Sequence, residues 1–454
     1  MRVNRILSRI LCIVFLIYVV KGSYVIPPLK LEALKKGGFR VYFPDVPDTA
    51  LFAFHANIND EIRTQLPGNI NGETRTPTNG FWILEFNDKL KQGDVVNYWM
   101  NVNANRLVYR KNGDPIKIIR LLDEYTELRN RCDPASTVIN AGKSTCLYNV
   151  IFQDKFEGTA LNTMLWKVEH KIPTYSEPNS PFNSYENRED TRFIKDNKLH
   201  LKPNAVAEAE VRGTLNLRDG CTGTKETECF YEQRSSFLLP PVKSAKIVSK
   251  TSFKYGKVEI RAQLPRGDWI FPIIQLESAQ KDIANPSKIW IAYSRGNTKL
   301  IMSDPNDIDV RKFSDNDIGG RLLLSGPVAE VEEPERSRRL VHKYANQPFF
   351  DDYHIYGLLW TKNEMRFYID SEEYGSVDLK SLTENFDREC VLSLGVGVGG
   401  LFDFPEGVSS NQKPWKNEDR NAIKRFFEGK PTWLQTWDDE RSCLIVDYVQ
   451  VTAV

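Results

Sequence analysis

The sequence predicts an all-β protein, with a small antiparallel sandwich in its amino-terminal part and a larger two-sheet sandwich after it. Three observations lead there. Short β-branched and aromatic runs alternate with turn residues from Tyr24 to about Tyr125. From Val150 to Val454 the strand signals continue, and few stretches hold a helical period. With 454 residues, two domains are expected, and either is large enough to bury a sizeable core.

Residues 1–22 read as a secretory signal peptide. Arg2, Arg5 and Arg9 precede an apolar run from Ile10 to Val20, and Gly22 and Ser23 supply small residues for cleavage. The run is too short to span a bilayer, and no later segment is long and apolar enough to do so. The expectation is a secreted, extracellular protein with no membrane span. Basic and acidic residues number 61 and 60. Arg2, Arg5, Arg9 and Lys21 belong to the leader, so the remainder carries 57 basic and 60 acidic residues. That balance argues against a nucleic-acid partner.

Cys12 also belongs to the leader, which leaves six of the seven cysteines. An even count in a secreted chain suggests disulfides, although sequence alone leaves the pairing open. The spacing invites Cys132–Cys146 and Cys221–Cys229 as local loops and leaves Cys390–Cys443. No Cys-x-x-Cys pair or nearby histidine supports a metal site, and no cofactor is expected.

In the amino-terminal part, residues 24–125, the expected strands are Phe39–Phe43, Leu51–Ile58, Gly80–Phe86 and Gly93–Val102. Pro44-Asp45-Val46-Pro47-Asp48 reads as a turn between the first two. Tyr24–Ala33, Gly38–Val41, Leu51–His55 and Leu107–Arg110 resemble the amino-terminal module of the insect β-1,3-glucan recognition proteins. That group is also called the Gram-negative-bacteria-binding proteins, and the module is carbohydrate-binding module family 39. The resemblance implies an immunoglobulin-like sandwich that binds β-1,3-glucan through polar and aromatic groups. Carried over by position, Asp45, Asp48, Trp82, Tyr109 and Arg110 are the binding candidates. Carboxylates and a guanidinium hold sugar hydroxyls by directed hydrogen bonds, while an aromatic face covers the apolar side of a ring. Two residues have competing readings. Trp82 alternates with Leu84 and Phe86, a core-like face, and Trp99 reads as core. One departure stands out: relatives carry an Arg-Asp pair soon after the Trp, where this chain has Glu85-Phe86-Asn87-Asp88.

Residues 126–149 lack a sustained period and read as a connector pinned by the Cys132–Cys146 loop. Beyond it, Phe253–Ala262 alternates polar and apolar residues as a half-buried strand does. The segment Ser287-Lys-Ile-Trp-Ile-Ala-Tyr-Ser-Arg-Gly-Asn297 resembles the catalytic strand of glycoside hydrolase family 16, Gly-Glu-Ile-Asp-Ile-x-Glu-x-Arg-Gly-Asn in active members. Ile289, Ile291, Arg295, Gly296 and Asn297 match. Lys288 replaces the nucleophilic Glu, Trp290 the bridging Asp and Tyr293 the acid/base Glu.

Retaining hydrolysis needs two carboxyl groups about 5 Å apart, one to attack the anomeric carbon and one to protonate the leaving oxygen. Positions i and i+2 of a strand share a face, and a one-residue bulge lets i+5 join them. Lys288, Trp290 and Tyr293 are therefore expected to project together, with no carboxyl among them. Phe152–Phe156, Trp166, Gly267–Ile274, Tyr353–Thr361, Leu392–Gly400 and Ile445–Val451 extend the resemblance over residues 150–454. The glycines of Leu392–Gly400 permit a close backbone approach. The resemblance implies a concanavalin-like jelly roll whose concave sheet carries the cleft, catalytically inactive here.

Arg261, Trp269, Trp290 and Tyr293 are candidates for a saccharide platform in that cleft, with a cleft filled by its own side chains as the alternative. Glu277 and Asp282 read as loop residues. His354 reads as a structural hydrogen-bonding residue, and the charged stretch Glu330–Arg339 as a solvated loop. The resemblance as a whole implies a secreted, noncatalytic pattern-recognition protein of innate immunity. Its ligands would be microbial β-1,3-glucan and, further, lipopolysaccharide or lipoteichoic acid, and it would feed a serine-protease cascade. The competing readings are an active β-1,3-glucanase and a secreted scaffold without sugar affinity.

Overall fold

The computed structural model describes residues 26–454 except 47–48, 64–65, 105–106, 129–132, 174–179, 234–236, 281–286, 303–315, 330–335, 381–385 and 409–412. The leader, Asp48, Cys132 and Asp282 lie outside the described residues.

The amino-terminal unit is a sandwich of two antiparallel sheets. One holds Lys30–Ala33, Phe39–Pro44 and Phe81–Phe86. The other runs Ile70–Thr74, Thr49–Ile58, Val95–Ala104, Leu107–Asn112, with Ile116–Lys117 also paired to Val95–Ala104. Alternation decides which side chains meet between the sheets. Phe52, Phe54 and Ala56 point inward from one strand, and Val96, Met100 and Val102 from its neighbour, all fully buried. Phe39, Val41, Phe43 and Trp82 close the core from the opposite sheet. Burying each of the larger side chains is worth roughly 1.5–3 kcal/mol.

The carboxy-terminal unit is a jelly-roll sandwich of a nine-stranded and an eight-stranded sheet. The nine-stranded sheet centres on Lys246–Lys254, Cys390–Val398, Ile270–Ser278, Lys288–Tyr293 and Leu322–Val328. The eight-stranded sheet centres on Leu444–Thr452, Gly256–Gln263, His354–Trp360 and Glu364–Ile369. Both strand sets are buried where they face each other, and Trp166, Tyr356, Leu358, Trp360 and Phe367 join one continuous cluster.

Several expectations need correction. The carboxy-terminal part of the expected connector has regular structure: Pro134–Ile139 and Lys143–Cys146 form a hairpin on the edge of the nine-stranded sheet, paired to Phe253 and Lys254. Its Asn140-Ala141-Gly142 turn has three successive positive φ angles, 43°, 67° and 87°. Upstream, Leu122 donates its N–H to the Ala33 carbonyl (2.8 Å), and Leu128 is buried against Tyr42 and Phe81.

Cys221–Cys229 is a disulfide, with Cα atoms 5.7 Å apart. Cys146 is disulfide-bonded as well. Cys390 and Cys443, however, are free and buried. Cys390 pairs with Ser278 at one end of the 270–278 strand, whereas Cys443 follows Arg441, whose carbonyl accepts from Arg266 just before the other end. A strand of nine residues, roughly 25–30 Å at 3.3 Å per residue, separates them, and a disulfide needs Cα atoms within about 7 Å.

The stretch Glu330–Arg339 is not wholly solvated, since Arg336 and Ser337 are buried. Glu277 is a strand residue of Ile270–Ser278 rather than a loop residue. His354 does make a structural bond, with Nδ1 2.6 Å from an Asp370 carboxylate oxygen.

Candidate functional site

The five amino-terminal candidates do not form one constellation. Trp82 is sealed in the core at 1% exposure, and its indole N–H donates to Asp45 Oδ1 at 2.6 Å. Burial withdraws it from any stacking role on the surface, and it fixes one oxygen of the exposed Asp45 carboxylate. Tyr109 and Arg110 lie on the other sheet, in the edge strand Leu107–Asn112. As strand neighbours they take opposite faces: Tyr109 packs against the core and Arg110 is exposed.

Arg110 belongs instead with two residues of the outer face. Its guanidinium lies 4.9 Å from the centre of the Trp99 ring, and its Nε donates to Asn101 Oδ1 at 3.1 Å. On the other neighbouring strand, His55 pairs with Trp99 in register and stacks on it, with ring centres 3.8 Å apart and planes 14° apart. The indole N–H donates to the Leu66 carbonyl at 2.9 Å. Burial lowers the pKa of His55, assisted by the charge of Arg110 and opposed by the Pro67 carbonyl, so the imidazole is neutral at pH 7.

Beside this imidazole–indole–guanidinium group lies a hollow of about 250 Å³ lined by Glu61, Asn97, Trp99 and Asn112 among others. It offers a carboxylate, amides and an aromatic edge, the donor and acceptor set that hydroxyl-rich ligands require. Trp99 is buried as expected, at 5% exposure, but on the outer face of its strand rather than in the cluster between the sheets. The signal lies in the alternation of Val95–Ala104: Val96, Tyr98, Met100 and Val102 take the inner face, which turns Trp99 outward with Asn97, Asn101 and Asn103.

The second candidate region is the floor of the nine-stranded sheet. Lys288, Trp290 and Tyr293 lie on one strand whose register against Leu322–Val328 shifts between Trp290 and Tyr293, the bulge that brings 293 alongside 290. The two rings stack, with centres 4.1 Å apart and planes 8° apart. Arg336 lies 5.0 Å over the Trp290 ring and pairs with buried Asp403 at 2.7 Å. The Tyr293 hydroxyl donates to the same carboxylate at 3.1 Å, and Arg295 Nε to the Asp403 carbonyl at 2.7 Å.

Burial, then the Asp403 charge, push the Tyr293 phenol far above its ordinary pKa, so it keeps its proton at any physiological pH. Glu277 is tied to Lys246 Nζ (2.7 Å) and accepts from Gln275 Nε2. Burial alone would raise its pKa. The charges of Lys246 and Lys288 and these hydrogen bonds outweigh it and hold the carboxyl well below the usual range. The void left among Lys246, Gln275, Lys288, Trp290 and Tyr293 is about 30 Å³.

Of the expected cleft residues, only Trp290 and Tyr293 line this floor. Trp269 is buried at 1% exposure between Phe404 and Trp415 rings. Arg261 belongs to the opposite sheet, where it pairs with Asp447 and covers the Tyr353 ring at 4.8 Å. Its strand, Gly256–Gln263, pairs only with strands of the eight-stranded sheet, so it cannot face the cleft.

Residues 25–133 match a carbohydrate-binding domain family, CBM39, described as "Carbohydrate binding domain (family 32)". Over its whole length the chain is similar to the β-1,3-glucan-binding protein of Hyphantria cunea, 30% identical with 98% of this chain and 100% of that one covered. The chain belongs to the β-1,3-glucan-binding protein family. Other members of this family are β-1,3-glucan-binding protein 1 of Manduca sexta, 30% identical over 94% of this chain and 96% of that one, and Gram-negative bacteria-binding protein 2 of Drosophila melanogaster, 28% identical over 95% and 96%. Among solved structures, an endo-β-1,3-glucanase from Pyrococcus furiosus covers 67% of this chain and 94% of its own, at 16% identity and a TM-score of 0.43. A laminarinase from Rhodothermus marinus covers 67% and 97%, at 18% identity and a TM-score of 0.43.

Proposed function

We propose that this member of the β-1,3-glucan-binding protein family is a secreted, noncatalytic pattern-recognition protein. It binds microbial β-1,3-glucan on the outer face of the amino-terminal unit, around Trp99, Arg110 and His55. The full-length similarity to proteins named for glucan binding carries the reading, and the match of residues 25–133 to a carbohydrate-binding domain supports its location.

The noncatalytic part is supported by the floor of the larger sandwich. An ammonium at 288 forms no glycosyl ester, and a phenol held protonated at 293 is a poor general acid. Glu277 and Asp403 are each engaged by a cation, and Arg336, Trp290 and Tyr293 pack on one another over the floor. Coupling of glucan binding to a serine-protease cascade belongs to the same proposal and is supported by the resemblance alone.

The test uses the intact secreted protein. It should sediment with insoluble β-1,3-glucan and release no reducing ends from laminarin. Release by the pure protein overturns the noncatalytic reading, and failure to sediment where a known binder does overturns the glucan-binding one.

A further inference from the structure

A cavity of about 380 Å³ lies beside the filled floor, with Pro181 in the walls of both. Cavities of about 300–1,000 Å³ are the size that holds small organic ligands. The interior is apolar, formed by Ile172, Phe182, Leu238 and Ile423. Phe237 lines it too and leaves 40% of its surface exposed, a large apolar group with no core to join.

The walls are held in place. Phe182 donates its N–H to the Val398 carbonyl (2.8 Å) and packs on Phe426 at 5.5 Å. Ile423 sits on the helix Ala422–Glu428, and the loop carrying Lys225 and Thr227 is closed by the Cys221–Cys229 disulfide.

The charged side chains among the described lining residues have one sign. Among the described residues Lys225, Arg420 and Lys424 line the cavity, and no carboxylate does. Among the described residues Lys225 and Arg420 make no ion pair, and Lys424 approaches only Glu428, at 3.9 Å. Glu228, in the disulfide loop, turns its carboxylate to the Thr224 and Lys225 backbone N–H groups at 2.8 and 3.0 Å. Its near partners are these backbone donors, Thr224 Oγ1 and Lys171 Nζ, rather than the Lys225, Arg420 or Lys424 side chains.

We propose that this cavity binds a long-chain fatty carboxylate, with the acyl tail among the apolar walls and the carboxylate at Lys225, Arg420 and Lys424. A cationic head would meet three like charges, and a neutral sugar would leave the apolar walls without a partner. The proposal is independent of glucan binding, which is placed on the other unit.

The test is titration calorimetry on the full-length protein with dodecanoate, octanoate and dodecyltrimethylammonium, each below its micelle concentration. Dodecanoate should bind at one site per chain. Each buried methylene is worth roughly a fourfold change in affinity, so octanoate should bind at least about tenfold more weakly. The cationic amphiphile should show no saturable binding. The double variant Lys225→Ala/Arg420→Ala should weaken dodecanoate by about tenfold or more, since a hydrogen bond to a charged group is worth roughly that factor. Ile423→Trp, which fills the cavity, should abolish binding. Unchanged thermal unfolding of the double variant keeps the test informative should the filled variant misfold. Three results would each overturn the proposal: no dodecanoate binding to folded protein, equal binding of the two head groups, or indifference to the double variant.

Discussion

Trp99 sits one pleat away from Tyr98 and Met100, and that offset sets its indole between His55 and Arg110 instead of inside the sandwich. Removing the guanidinium should therefore affect binding more than folding. Arg110→Ala loses an exposed cation–π contact and one hydrogen bond, together about 1 kcal/mol of stability at most. Glucan affinity should fall about tenfold, read by sedimentation against a concentration series. Glu277 gives a second residue-scale prediction. Its folded pKa lies below the unfolded one, so its stabilisation is in full force above the ordinary carboxylate range and is lost as the pH falls through that range toward the folded value. Glu277→Gln should be about 2 kcal/mol less stable at pH 7, because Lys246 and Lys288 stay behind without their anion. Its melting temperature should then change less than that of the parent protein between pH 6 and pH 3. An acid limb as steep as the parent's would refute the assignment.

Strands with clean alternation are legible in the sequence alone only in part. The single strand expected over Phe253–Ala262 is split, with Phe253 and Lys254 ending Lys246–Lys254 of one sheet, Tyr255 turning the chain at φ 64°, and Gly256–Gln263 in the other sheet. Lys288–Tyr293 carries the anticipated bulge. The glycine run from 395 also has the expected meaning, since a Cβ on Gly397 would come within 2.1 Å of the Phe271 ring. Gly397→Ala should accordingly cost about 1–3 kcal/mol, measured by urea unfolding, because the ring has packed neighbours on its other sides. Long-range partners set the features that local pattern does not reveal. The 134–146 hairpin is polar and short, and its pairing with Phe253 lies more than a hundred residues away. The burial of Arg336 depends on Asp403, and nothing near either residue in the chain announces the other. Pairing Cys390 with Cys443 by elimination ignores the length of the strand between them.

At the scale of the whole chain, the two large hydrophobic clusters share no residue. Calorimetry should therefore resolve two transitions. Soluble laminarin at a hundred times its dissociation constant should stabilise the smaller unit by about 2.7 kcal/mol and leave the larger one unmoved. A single transition, or a shift of both, would contradict that independence. The chain between the units has a further consequence. Among the described residues Leu128 is the last buried in the amino-terminal unit, and Pro134 begins the edge hairpin of the other. Six peptide steps reach at most about 20 Å. Those attachment points stay within that distance, so if the larger unit also binds the particle that the smaller one grips, its encounter becomes intramolecular, at an effective concentration on the order of millimolar. Two weak grips on one microbial surface would then hold like a single strong one, and they would release when the particle presents only one of the two ligands.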